Sequence, residues 1–197
     1  MDKAMVAFGM PMGPVRLMDE VGLDVAYHVG TFLESQFPGR MTGAPLLKSI
    51  FETDLLGKKA GAGFYLYDEK GKETAVNSRV LDLLPPPKVA PPPEAVLQER
   101  MVLPMINEAS RILAEGIVKT PGDVDLGMIM GTGFPPFRGG LMRYADSIGS
   151  AKLAERLSAL AQSVDSRFAP SPQILGLAKN NTPFYASSCA PSGAPEA

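Results

Sequence analysis

Gly9-Met-Pro11-Met-Gly-Pro14-Val-Arg-Leu17-Met18 is answered later in the chain by Gly133-Phe-Pro135-Pro-Phe-Arg-Gly-Gly-Leu141-Met142. The Gly-x-Pro and Leu-Met pairs align at a constant offset of 124 residues with no gap between them. A Gly-Pro match alone carries little weight, because such dipeptides mark turns everywhere. Two further landmarks keep the same order. Asp2 and Asp125 align upstream with one residue of slip, while Gly63-Phe-Tyr65 and Pro183-Phe-Tyr185 close the two halves. Three landmarks in one order predict a duplicated unit.

The break between the copies is Leu84-Pro-Pro-Pro-Lys-Val-Ala-Pro-Pro-Pro93. Such a proline density cannot continue a helix or a central strand, and it favours an extended, semi-rigid spacer. The expected organisation is a first unit over 1–84, a linker over 85–93, a second unit over 94–186 and a disordered tail over 187–197. The tail is small and polar, the composition of a frayed end.

The periodicity is mostly helical. Ala95 to Glu115 carries Leu97, Met101, Val102, Met105, Ile106, Ala109, Ile112 and Leu113 at three- and four-residue steps, the signature of one long amphipathic helix. Gly116 suits its C-terminal cap, and Pro104 predicts a kink or a later start. Thr120-Pro121 reads as an N-cap followed by proline at the first helical position. Pro14 to Gly22, a helix capped by Asp24, Leu46 to Leu55 and Ala151 to Ser163 are further helices. Gly63-Phe-Tyr-Leu-Tyr67 is strand-like but too short to build a sheet. The first half has no counterpart of the long helix, so the expectation is a first unit truncated at its N-terminus, with an exposed apolar face and the lower stability.

Composition excludes several chemistries. An apolar fraction of 45% and a charged fraction of 20% are those of an ordinary globular protein. A net charge of −2 offers no field for a nucleic-acid backbone. No apolar run approaches the roughly 20 residues that span a bilayer, and no signal peptide is visible. Cys189 is the only cysteine and His28 the only histidine, so no disulfide framework and no multi-histidine metal site can form. A reducing, cytoplasmic setting fits this composition. No catalytic or metal-ligating set emerges.

Phe8-Gly-Met-Pro-Met-Gly-Pro14 followed by Leu17-Met-Asp19-Glu-Val-Gly-Leu-Asp24 resembles the substrate-domain motif of L-3-hydroxyacyl-CoA dehydrogenases. Leu56-Gly-Lys-Lys-Ala-Gly-Ala-Gly-Phe-Tyr-Leu-Tyr67 resembles the segment closing that domain. Glu99-Arg100-Met-Val-Leu-Pro104-Met-Ile-Asn107-Glu108-Ala109 and Gly133-Phe-Pro-Pro-Phe-Arg-Gly-Gly140 are similar to the second copy in multifunctional hydratase/dehydrogenase α-chains of β-oxidation. The resemblance spans about residues 2–186. It implies an all-α chain of two tandem helical units of the 6-phosphogluconate-dehydrogenase C-terminal type. It also implies oxidation of 3-hydroxyacyl-CoA to 3-ketoacyl-CoA in the complete enzyme, with a catalytic His-Glu pair on an NAD-binding Rossmann domain and with hydratase and thiolase components as partners. This chain has no Gly-x-Gly-x-x-Gly after a strand, so it is expected to bind no NAD alone. Glu99 stands where the family places a substrate-positioning asparagine before Arg100, and a carboxylate cannot supply the amide's donor.

Met10, Pro11, Met12, Gly13, Pro14 and Leu17 form the candidate substrate-binding corner. Glycine and proline would let backbone approach closely, and methionine would suit an adaptable acyl pocket. The competing reading is a helix-connecting corner with the methionines in the core. Phe134, Phe137 and Arg138 would pack against the first copy. Lys58 and Lys59 are either contacts for CoA phosphates or a solvated pair, Asp19 is read as a polar helix residue, and the Gly57–Gly63 segment as a closing turn rather than a phosphate loop. The alternative for the whole chain is a non-catalytic helical interaction module.

Overall fold

The computed structural model describes residues 1–84 and 90–185. Residues 85–89 of the expected linker and the expected tail lie outside the described residues. The chain divides into two compact units. Met1–Ala7 and Met12–Glu94 make the first, and Phe8–Pro11 with the residues from Ala95 onward make the second. The units therefore do not follow the sequence repeat residue by residue: Phe8–Pro11, first-copy in sequence, belongs to the second unit.

The first unit holds α1 (Asp2–Phe8, its last residue counted with the second unit), α2 (Pro14–Val21), α3 (Leu23–Gln36) and α4 (Pro45–Phe51). It continues with β1 (Tyr65–Tyr67), β2 (Glu73–Val76) and α5 (Ser78–Asp82). Leu23, Ile50, Leu55 and Val80 form its buried centre, with Met18, Leu46, Leu47, Ala62 and Phe64 packed against them. The strand-like run does find a partner: β1 pairs antiparallel with β2, Tyr65 opposite Val76 and Leu66 opposite Ala75. The turn between them is made by Asp68, whose carboxylate accepts from the Lys70 and Lys72 amides at 2.9 and 2.8 Å. Asn77 then caps α5, accepting from the Arg79 amide at 3.1 Å while its own amide donates to the Gly63 carbonyl at 2.8 Å.

The second unit holds α6 (Glu94–Ala114), α7 (Pro121–Thr132), α8 (Leu141–Ile148), α9 (Ser150–Ser163) and α10 (Pro172–Asn180). Pro104 does not end α6. An interior proline costs about 3 kcal/mol in an isolated helix. Here Val102, Leu103, Ile106, Asn107, Ala109 and Ser110 are buried around it, and packing outweighs that cost. Past Ala114, the Ile117 amide reaches the Ile112 carbonyl at 3.0 Å and the Gly116 amide reaches Leu113 at 3.1 Å, the paired bonds of a Schellman end. Thr120 and Asp123 form a reciprocal capping box on α7, worth about 1 kcal/mol.

The repeat survives in three dimensions at a different offset. Pro14–Val21 corresponds to Leu141–Ile148, Leu23–Gln36 to Ser150–Ser163, and Pro45 to Pro172, each 127 residues apart. The sequence match of Leu17-Met18 with Leu141-Met142 is thus three residues out of register. The second copy inserts the 3₁₀ turn Pro136–Arg138 after its Gly-x-Pro. Leu17 is 52% exposed whereas Leu141 is fully buried, so the two leucines occupy different faces.

Candidate functional site

Each unit is latched by two aspartates. In the first, Asp2 on α1 accepts from the Val15 and Arg16 amides at the start of α2, at 2.9 and 3.0 Å, and from the Tyr65 hydroxyl at 2.8 Å. In the second, Asp125 on α7 accepts from the Met142 and Arg143 amides at the start of α8, at 2.5 and 3.2 Å, and from the Tyr185 hydroxyl at 2.6 Å. Free amides at a helix start, together with the helix dipole, favour a carboxylate there. Gly13 and Gly140 leave the room: a Cβ on either would collide with the side chain of Asp2 or Asp125.

The second latch runs from helix to a Phe-Tyr segment. Asp19 on α2 is fully buried and accepts from the Phe64 and Tyr65 amides, each at 2.9 Å, and from the Tyr67 hydroxyl at 3.0 Å. It is the polar helix residue expected from sequence, and the structure adds that it is buried. Its counterpart Asp146 accepts from the Phe184 and Tyr185 amides at 2.7 and 3.2 Å. Desolvation first, and then the carboxylate beside each, push the Tyr65 and Tyr185 hydroxyls up to about 12 and raise Tyr67 as well. These phenols are therefore hydrogen-bond donors throughout the neutral range.

The six corner residues are not brought into one unit. Met12, Gly13, Pro14 and Leu17 belong to the first, at and after the start of α2, while Met10 and Pro11 belong to the second. Pro11 lies where a Cβ on Gly133 would sit. Next to them, Phe8 meets Phe134 edge-on at 5.8 Å and Tyr144 at 5.2 Å. Arg138 stacks over the Phe8 ring at 4.0 Å and donates from Nε to the Phe8 carbonyl at 3.1 Å. Phe137 closes against Gly9, where a Cβ would fall 2.6 Å from its ring.

Other residues singled out in sequence have structural occupations. Lys58 pairs with Glu20 at 2.9 Å and Lys59 with Asp24 at 2.5 Å, so neither lysine is merely solvated. The Lys59 ammonium holds the Asp24 carboxyl below its ordinary range. Asp24 is not the N-cap of α3, which is Gly22. The Gly57–Gly63 turn folds around Asp19 and closes on itself, the Gly57 amide donating to Ala62 at 2.9 Å. It is no phosphate cradle. Glu99 pairs with Arg156 at 2.8 Å, which commits it to holding α6 against α9. His28 meets the Phe51 ring edge-on at 5.0 Å.

A nicotinamide dinucleotide does not fit these residues. The two described strands form an antiparallel hairpin, not the parallel strand–glycine turn–helix that presents amides to a pyrophosphate. Among the described residues no group of His, Cys, Asp and Glu could hold a metal, and no helix is long and apolar enough to cross a membrane. Two of the cavities among the described residues lie in the first unit. One of about 280 Å³ lies between Asp2, Val15, Phe64, Tyr65 and Val80. The other, of about 350 Å³, lies between α3 and α4, lined by Tyr27, Gly30, Thr31, Glu34 and the 43–48 segment. The corner residues line neither.

The family model for the C-terminal domain of 3-hydroxyacyl-CoA dehydrogenase matches residues 1–67 and 97–183. The fatty acid oxidation complex subunit alpha of Shewanella loihica is 40% identical over 185 residues, covering 94% of this chain and 26% of that protein. The same subunit of Vibrio vulnificus is 39% identical over 189 residues. The chain thus spans about a quarter of the length of these relatives. The 3-hydroxybutyryl-CoA dehydrogenase of Escherichia coli aligns over 91% of this chain and 54% of its own with a TM-score of 0.70 at 20% identity. The dehydrogenase part of C. elegans multifunctional enzyme 1 aligns over 89% and 40% with a TM-score of 0.65 at 24% identity. At these identities the two structures speak for the fold.

Proposed function

We propose, because this chain belongs to the 3-hydroxyacyl-CoA dehydrogenase C-terminal domain family, that it is the substrate-binding and association region of an NAD-dependent 3-hydroxyacyl-CoA dehydrogenase of fatty-acid β-oxidation. The complete enzyme oxidises a 3-hydroxyacyl-CoA to the 3-ketoacyl-CoA and passes hydride to NAD⁺, within a complex that carries hydratase and thiolase components. The observation that carries this reading is the match of the family to both halves.

In this role the chain's residues position rather than react. The aspartate latches fix α2 and α8, and Met12 ahead of α2, with Pro14 and the exposed Leu17 on it, is our reading of the acyl contacts of the first unit. Hydride transfer is assigned in this reading to another part of the enzyme, since the chain spans 26% of its Shewanella loihica relative. Purified chain mixed with acetoacetyl-CoA and NADH is expected to leave the NADH absorbance unchanged, and measurable turnover would sink this division of labour. Calorimetry with acetoacetyl-CoA separates the two readings of the chain itself. Saturable heat, weakened by Leu17→Asp, supports a substrate region; its absence supports the non-catalytic interaction module.

A further inference from the structure

Arg138 lies in the Pro136–Arg138 turn that the second copy inserts after its Gly-x-Pro. The first unit starts α2 from Gly13 and the Asp2 latch without such an arginine, so building the corner does not require one. Yet its guanidinium is held on several sides. The guanidinium carbon lies 4.0 Å from the centre of the Phe8 ring, 5.1 Å from that of Tyr144 and 5.4 Å from that of Phe137. Nε donates to the Phe8 carbonyl at 3.1 Å, which leaves the two terminal nitrogens.

Arg16, Arg79, Arg111, Arg156 and Arg167 each pair with a carboxylate. The terminal nitrogens of Arg138 meet no acceptor among the described residues, although the residue is half-buried. A charge taken partly out of water calls for a counter-ion. The turn supplies none. Pro136 to Arg143 carries two arginines and no acid, and the Asp125 carboxylate beside it is taken up by the Met142 and Arg143 amides and the Tyr185 hydroxyl. Arg143 lies against the same turn, since a Cβ on Gly139 would fall 3.0 Å from its own Cβ, and its guanidinium stacks 3.4 Å over the Tyr185 ring. Two fixed positive charges favour a phosphate monoester, with a charge of about −2 at neutral pH, over a singly charged carboxylate. Beside Arg138, the Phe137 ring is 74% exposed, a face of the kind on which a nucleobase stacks.

We propose that Arg138 and Phe137 form a binding site for a phosphorylated nucleoside, the terminal guanidinium nitrogens taking the phosphate monoester and the Phe137 ring taking the base. The planar fork holds two phosphate oxygens at once, which an ammonium cannot do. Free nucleotides and the 3′-phosphoadenosine end of an acyl-CoA both carry this chemistry. The site rests on the second unit's own residues and is independent of the enzymatic reading.

The test titrates the full chain with adenosine 3′-monophosphate by calorimetry, while the Arg138 Nε–H resonance locates the site. Saturable binding is expected, with adenosine and inorganic phosphate each weaker by about tenfold or more. Arg138→Lys keeps the charge but loses the fork, and should weaken the nucleotide about tenfold. Phe137→Ala should weaken the nucleotide by a similar factor and leave inorganic phosphate unchanged. Displacement of the nucleotide by coenzyme A supports the site and assigns it to an acyl-CoA tail; saturation without displacement supports it as a site for a free nucleotide. A purely structural arginine would lower the thermal midpoint in Arg138→Lys and leave nucleotide affinity unchanged, which overturns the proposal, as do equal affinities for adenosine and its 3′-monophosphate. No nucleotide binding beside an intact acetoacetyl-CoA heat overturns this site and leaves the enzymatic reading standing.

Discussion

The two units share one hydrogen-bonded skeleton and differ in how much apolar surface covers it. Asp2 and Asp125 make the same three bonds, and Asp19 and Asp146 clasp the same Phe-Tyr amides. Among the described residues the first unit buries Ala4, Met5, Leu23, Ile50, Leu55 and Val80. The second buries seventeen hydrophobic side chains, among them Val102, Leu103 and Ile106 of α6 and the fully buried Phe134, Leu153, Leu157 and Ile174. Directional bonds define the shape in both, while the apolar cover that dominates stability is concentrated in the second. The first unit should therefore open more readily, and its amides should exchange faster.

The largest perturbation of this comparison is Asp19→Ala. It orphans three donors, one a phenol, in a buried site, at roughly 1–3 kcal/mol each before relaxation. Urea unfolding followed by site-resolved exchange should show the first unit destabilised by about 3–5 kcal/mol. Asp146→Ala loses two amide acceptances at a half-buried site and should cost about half as much. Equal costs would mean that the latches are not graded by burial.

Asn107→Ala comes next, with an expected loss of about 2–3 kcal/mol confined to the second unit, because it frees the Ala169 carbonyl and the Ser171 amide together. An equal loss of protection in the first unit would show that stability is not partitioned. Thr120→Ala removes one side of the capping box on α7 and should cost about 1 kcal/mol.

The alkaline limb is a smaller test that both units should pass alike. Tyr65 and Tyr185 titrate at about 12 in the folded chain, against about 10 when unfolded. The folded state then holds protons that the unfolded state has released. Stability is complete below pH ~10 and falls as pH rises toward ~12. Tyr65→Phe and Tyr185→Phe should each flatten that fall, and an unchanged slope would remove these phenols as its cause. Smallest of all, Lys59→Met breaks an exposed pair with Asp24 and should leave the urea midpoint almost unchanged.

What sequence reveals here is what local chemistry writes. Apolar spacing and caps place α6 within a residue at each end and locate the Thr120 cap. Pro14 and Gly22 bracket α2 as drawn. The Asp19 latch is invisible because its partners lie 45, 46 and 48 residues away, and an isolated aspartate in an amphipathic helix looks solvated. The strand β2 carries a weak apolar pattern, although Asp68-Glu-Lys-Gly71 before it is a turn signal that could have found the hairpin. The true register of the repeat is hidden by the Pro136–Arg138 insertion, because two amphipathic helices offer apolar pairs at several offsets.

Phe8–Pro11 has a practical bearing on how this molecule can be divided. The obvious scissors point is the proline-rich stretch, yet a cut there leaves the ring that Phe134, Tyr144 and Arg138 close upon attached to the other piece. Halves expressed separately would be mismatched to the fold: the later half would carry an unplugged aromatic socket, and the earlier half a stray plug.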